Sequence, residues 1–196
     1  MMSSTSSSKK RVYILNGPPM SGKDTLAKIL SKKHGMTHLE FKTPLYADTA
    51  SFYGIDERLF TNLASNRNEK DQPQEVLDNE TPRQALILTS ENVVKITFGE
   101  DHYGVLAAKK VLLSDSRSFV FSDGGFIDEI KPFYKMMNSN GLTVVLVRLH
   151  RENCNFKIDS RNYMEPSCTN NLIVKDITIC ENEPHTAIKQ ILAIKH

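Results

Sequence analysis

The sequence predicts an α/β fold in which helices cover both faces of a parallel sheet of about five strands. Three observations predict it. Short β-rich apolar runs alternate with amphipathic helical patterns, which implies right-handed parallel crossovers. The run TVVLV at 143–147 is apolar without alternation, as expected of a strand covered on both faces. The first run passes into a glycine-spaced turn and then a helical pattern, the strand–loop–helix of a phosphate-binding loop, or P-loop.

In chain order the strands read as residues 12–15, a short candidate at 37–41, 119–121, 143–147 and 172–179, the last broken by Lys175 and Asp176. Helical periodicity covers 23–34, 44–53, 82–97, 101–113, 127–140 and 185–195. Leu26, Ile29 and Leu30 share one face of the first helix, and the amphipathic stretch 104–113 supplies further cover for the sheet. Thr81 followed by Pro82 marks a helix start, with threonine as N-cap and proline at N1. Residues 55–80 are rich in Asn, Asp, Glu and Gln with few periodic apolar positions, and read as an insertion or mobile arm on the substrate side. Residues 1–10, MMSSTSSSKK, lack an apolar h-region and read as a disordered lead-in, leaving 11–196 as the domain.

Composition narrows the function classes. A chain of 196 residues and 22.2 kDa, 39% hydrophobic and 24% charged, suits one sizeable core. A net charge of +2 gives no support for binding polymeric nucleic acid or a membrane surface, whereas phosphorylated small molecules fit it. Cys154, Cys168 and Cys180 have no CxxC spacing, so neither a disulfide framework nor a zinc site is suggested and a reducing, cytoplasmic setting is expected. The six histidines are scattered without ligand spacing.

The turn itself carries chemistry. Gly17, four residues, then Gly22-Lys23 match GxxxxGK, where glycines let successive amides of Gly17, Ser21, Gly22 and Lys23 converge on phosphate oxygens at a helix N-terminus. Lys23 adds a mobile cation. The usual hydroxyl position holds Asp24, and the hydroxyl follows at Thr25. Two readings of Asp24 stand: it reaches Mg²⁺ directly or through water while Thr25 contacts phosphate, or it braces the loop and Thr25 serves the metal.

Four further positions extend the site. Asp123 ends the strand SFVFSD, where a carboxylate can hold a metal-bound water or the acceptor, although an Asp before Gly124 also suits a turn. Arg83 sits in a first helical turn against the helix dipole, a conflict expected where an anion is held. Arg148, Arg151, Lys157 and Arg161 follow the fourth strand in a stretch, 148–166, of little regular pattern; such a basic lid can close over transferring charge. Asp128 and Glu129 open the next helix, where acidic residues suit the dipole. Phe41, Tyr46, Phe52 and Tyr53 could stack on a nucleobase, although Phe52 and Tyr53, at helical spacing from Leu45 and Thr49, also read as core.

Taken in order, GPPMSGKDT, FKTPLYADTASFYG, RNEKDQP, the stretch from TPRQALILT to AAKKV, and SDGGFIDE followed by NGLTVVLVRL resemble the bacteriophage deoxynucleoside monophosphate kinase family, a branch of the P-loop nucleotide kinases. The resemblance covers most of residues 11–195. It implies a P-loop kinase three-layer fold and transfer of the γ-phosphoryl group of ATP, with Mg²⁺, to a nucleoside or deoxynucleoside 5′-monophosphate. It implies roles for Lys23 on the phosphates, Arg83 on the acceptor phosphate, Asp123 at the acceptor or metal water, and Arg151 or Arg161 in the lid. Three departures are visible: the family's DxR reads Asp123-Gly124-Gly125, Lys95 stands where arginine is usual, and the lid reads KIDSRNYMEP. The rival readings are a P-loop kinase for another phosphorylated small molecule, of phosphomevalonate or dephospho-coenzyme A type, and a nucleotide-binding module without catalysis. Base, sugar and oligomeric state, a homodimer included, stay open.

Overall fold

Every strand of the sheet runs parallel, in the order β2 (Thr37–Leu39), β3 (Ser118–Phe121), β1 (Arg11–Asn16), β4 (Thr143–Arg151), β5 (Leu172–Ile179). The computed structural model describes residues 10–124, 126–157, 161–165, 171–181 and 183–195. Residues 1–9 of the expected lead-in, Gly125, and residues 158–160 and 166 of the expected lid lie outside that description. The helices are α1 (Lys23–His34), α2 (Thr43–Phe52), α3 (Glu57–Ser65), α4 (Pro82–Thr89), α5 (Lys95–Phe98), α6 (His102–Leu113), α7 (Ile127–Ser139) and α8 (Pro184–Leu192).

Strand side chains alternate between the two faces, which sorts the core into two layers. Val12, Ile14, Phe119, Phe121, Val144 and Leu146 face α6 and α7, where Val111, Phe133 and Met137 meet them. Tyr13, Leu15, Val120, Val145 and Val147 face the other way, against Leu26 and Leu30 of α1 and Ile188 and Ile191 of α8. Both faces of the central strands are therefore dry, which is why TVVLV carries no polar alternation. The three-layer α/β architecture with a five-strand parallel sheet is the one the sequence predicts.

Three local expectations change. Residues 55–80 are not devoid of helix: Asp56 accepts from the amides of Arg58 and Leu59 and caps α3, whose Phe60 is fully buried with Leu77, Tyr46, Ala50 and Ala85 in a separate small core. A single buried residue in the nine of α3 was too sparse a signal to read as periodicity. The helix expected over 82–97 is interrupted by a wider π turn at Ser90–Val94, with α5 resuming at Lys95. Finally, β4 extends to Arg151 and β5 is unbroken, because Asp176 lies in register with Arg148 and takes its guanidinium at 2.7 and 3.0 Å and the His150 ring at 2.6 Å. Arg148 and Arg151 thus belong to a strand, not to an irregular lid.

The connections place the site. From β1 the chain crosses through α1 to the β2–β3 side, whereas β3 passes through α7 to β4 on the opposite flank of β1. The carboxyl end of β1 is the topological switch point, where the diverging connections leave a crevice.

Candidate functional site

The loop between β1 and α1 occupies that crevice. Ser21 donates its amide to Pro18 O at 3.2 Å, closing a turn in which Pro19 precedes Met20 at φ +64°. Gly22 follows at φ +96°, a conformation that costs a side chain dearly, and delivers the chain into α1. Gly17 is required for a different reason: a Cβ there would lie 2.7 Å from Ser21 Oγ and 2.9 Å from Leu149 O. The loop is packed against β4 too closely for any side chain. Lys23 arches back over it, its ammonium donating to Gly17 O at 2.6 Å and Pro18 O at 2.8 Å.

Ser21 is fully buried and, among the described residues, its hydroxyl makes no hydrogen bond. Its amide is engaged in the turn. Asp24 and Thr25 are exposed on the first turn of α1. A hard cation shared with phosphate oxygens needs only one or two protein oxygens, and this pair fits Mg²⁺. No group of three or more His, Cys, Asp or Glu able to hold a metal occurs among the described residues.

On the β2–β3 flank, Asp123 serves a structural end. Its two oxygens accept the amides of Phe41 and Lys42, each at 2.9 Å, fastening the turn that leads from β2 into α2. Burial raises its pKa from 3.8 to about 6, beyond what the two amides and the Lys42 cation recover, and Glu40 adds repulsion. Ser122 beside it is buried and joins His38 Nε2 at 2.8 Å to Glu40 Oε1 at 3.2 Å, and Glu40 lies 3.4 Å from Lys42 Nζ. Burial pulls the Lys42 pKa down, but attraction to Glu40, Tyr46, Asp123 and Asp24 outweighs it and the net shift is upward. Lys42 is a fixed cation between the P-loop and the end of β3, and the sequence reading missed it.

Beyond this network a cleft of about 190 Å³ opens between α4, α6 and α7, with Leu45, Leu86, Phe126, Lys95 and Glu129 among its walls. Burial, with repulsion from Asp123, raises the Glu129 carboxyl from 4.5 to about 8, against the pull of Lys95 and Arg161. Arg161 lies over the Phe126 ring at 6.0 Å, so it stands on this flank of the loop. Arg83 does not line the cleft: it ion-pairs with Asp71 at 2.6 Å, and its amide donates to Lys70 O.

On the β4–β5 flank, Arg151 reaches the loop from the last residue of its strand, donating to Met20 O at 3.2 Å and to Glu181 Oε1 at 3.4 Å. It lines a cleft of about 710 Å³ with Met20, Lys157 and Cys180, and a smaller one of about 210 Å³ with Gly22, Thr25 and Pro184. Asn16, at the end of β1, was also missed. It is fully buried, donates to Gly124 O at 3.1 Å and Asn162 O at 3.3 Å, and accepts the Met164 amide at 3.0 Å. Tyr163 donates to Leu149 O at 2.9 Å. Together these bonds fasten residues 162–164, and with them Arg161, beside the P-loop. The only sequence signal was a polar residue closing an apolar strand.

Of the aromatics, Phe41 stacks on Phe121 at 4.6 Å inside the core, and Tyr46 packs edge-on against Phe60 at 5.7 Å. Phe52 is 51% exposed, so its helical spacing did not make it core. Among the described residues no helix is long and apolar enough to cross a membrane.

No protein-family model matches the chain, and no curated protein does. Solved structures similar to it include a provisionally assigned kinase from Chloroflexus aurantiacus, at 13% identity and TM-score 0.49, with 96% of this chain and 100% of that one covered. An APS kinase, CysC, of Mycobacterium tuberculosis in complex with AMPPNP and APS is 13% identical, with TM-score 0.47 and coverage of 94% and 96%. A gluconokinase from Sinorhizobium meliloti is 11% identical, with TM-score 0.45 and coverage of 95% and 90%.

Proposed function

We propose that the chain is an ATP-dependent phosphotransferase whose acceptor is a nucleoside or deoxynucleoside 5′-monophosphate, yielding ADP and the diphosphate. The observation that carries this reading is one glycine-rich turn at the switch point of the sheet with a cleft on either flank, walled by β4 and β5 on one side and by α4 and α7 on the other. ATP takes the first cleft and the acceptor the second, so that the two phosphate chains meet over Lys23.

In this reading the amides at Gly22 and the N-terminus of α1 hold the β- and γ-phosphates, and Gly17 and Ser21 contribute by shaping the turn. Lys23 exchanges the carbonyls of Gly17 and Pro18 for phosphate oxygens. Asp24 and Thr25 supply oxygens to Mg²⁺, which when bound disperses the charge of the transferring group. Arg151 and Arg161, standing on opposite flanks, stabilise that charge as it spreads over the equatorial oxygens. Asp123 acts through the Phe41–Lys42 turn, setting Lys42 beside the acceptor phosphate. In-line transfer between two bound phosphates needs no covalent enzyme intermediate.

A coupled ADP-release screen over the common ribo- and deoxyribonucleoside monophosphates tests the assignment. Turnover of at least one, reduced roughly 10²–10³-fold by K23A, is expected. No ADP release with any monophosphate, or full activity in K23A, would overturn it. One observation favours a different phosphorylated acceptor on the same scaffold: Arg83, the cation expected on the acceptor phosphate, is held by Asp71 outside the cleft. Product analysis with other phosphorylated small molecules separates the two.

A further inference from the structure

The acceptor-side cleft is a slot with apolar walls, among them Leu45, Leu86, Ile87 and Phe126, and polar groups at its margin. Tyr103 gives its hydroxyl proton to Asp48 Oδ2 at 2.9 Å, and the Lys95 ammonium lies 2.6 Å from Glu91 Oε1 with further N–H groups to offer, beside the Ser90 hydroxyl. Glu129 lines the same slot, and among the described residues its carboxyl makes no hydrogen bond. Its backbone position is set by close packing, because a Cβ at Gly104 would collide with the Glu129 carbonyl oxygen and so α7 is seated hard against α6. Glu91, Glu100 and Asp128 also line the slot, so it offers carboxylate acceptors beside its apolar surface, and Glu129 is the one whose backbone is seated on the α6–α7 contact.

Resting on the phosphotransferase reading, we propose that Glu129 determines acceptor specificity by accepting a hydrogen bond from an exocyclic amine of the base, so that aminated bases are preferred to thymine or uracil. A base lying in the slot exposes its faces to Phe126 and the leucines and its edge to the carboxyl. An amine on that edge satisfies the carboxyl oxygen. Once the carboxyl is ionised, a carbonyl at the same place sets two acceptors against each other and leaves both unsatisfied. Sites built around one such hydrogen bond discriminate strongly against ligands that lack it.

The test is kcat/KM for dCMP, dAMP, dGMP and dTMP in the wild type and in E129Q, on the alkaline side of the carboxyl's pKa of about 8, where it can only accept. The wild type should favour its best aminated acceptor over dTMP by about tenfold or more, and E129Q, whose amide can donate to a carbonyl, should narrow that ratio. Calorimetric binding of the same nucleotides gives the ratio without turnover. E129D, which keeps an accepting carboxylate on a shorter stem, should retain the sign of the preference even if E129Q folds poorly. Equal use of dTMP by the wild type, or an unchanged ratio in E129Q, overturns the role of Glu129 and leaves the phosphotransferase reading standing. Failure to turn over any monophosphate overturns both.

Discussion

Asp123 can be tested as a fastener independently of any substrate. D123A removes the acceptor of two amides, those of Phe41 and Lys42, each held at 2.9 Å. An amide left unpaired away from water costs about 1–3 kcal/mol, so the pair should cost about 2–4 kcal/mol once water reaches the open side of the turn. For a domain of this length each kcal/mol moves Tm by about 2–4 °C, which gives a fall of about 4–16 °C. The loss is not confined to the turn, because Phe41 stacks on Phe121 and meets Phe133 edge-on at 5.4 Å. Loosening its backbone loosens the core layer under α7. Calorimetric melts and urea titrations at neutral pH read the effect directly. D123N should fall between, since its amide keeps one acceptor oxygen but sets a donor against the second backbone amide. A D123A urea midpoint equal to that of the wild type would refute the reasoning.

Glu129 and Ser21 give two further outcomes. Burial and the Asp123 charge raise the Glu129 pKa from 4.5 to about 8, so the folded chain binds this proton more tightly than the unfolded one. Its contribution to stability is then complete below about pH 4.5 and is lost as pH rises through about 8, on the order of a few kcal/mol. E129Q cannot ionise and should show a flatter profile, becoming more stable than the wild type at alkaline pH; parallel urea midpoints across that range would contradict this. The Ser21 hydroxyl is buried without a partner among the described residues, a defect worth about 1 kcal/mol or more, so S21A should melt about 2–4 °C higher. Because the turn uses the Ser21 amide and not its hydroxyl, ATP binding should be retained, and a lower Tm would show that the hydroxyl has a role in the loop.

What could be read in advance was what depends on neighbours in sequence. The spacing of Gly17, Gly22 and Lys23 encodes the turn because every atom of it comes from a few consecutive residues, and TVVLV announces a strand covered on both faces because burial removes polar alternation. The clamp of Asp123 on Phe41 and Lys42 spans 82 and 81 residues, and Asn16 reaches Met164 across 148. No local pattern marks such partners. For Arg83, its place in the first turn of α4 was legible, but the Asp71 carboxylate that holds it arrives from a segment with little periodicity. Arg151 was assigned to an irregular lid because 148–166 has little regular pattern, whereas β4 runs on to Arg151 beside the edge strand β5, with Arg148 paired to Asp176 on β5 and Arg151 to Glu181 just beyond it.

By itself, then, the sequence determined the class of fold and the glycine-rich turn between β1 and α1, since periodicity and glycine spacing are properties of short windows. Strand order, the placement of β1 between β3 and β4, and the two clefts flanking the turn were decided only when distant segments packed. The same packing brought Glu129 to a cleft with apolar walls and made Asp123 a fastener of the Phe41–Lys42 turn. The physical reason is that burial and hydrogen-bond partnership, which set what a carboxyl can do, are fixed by contacts between residues far apart in the chain.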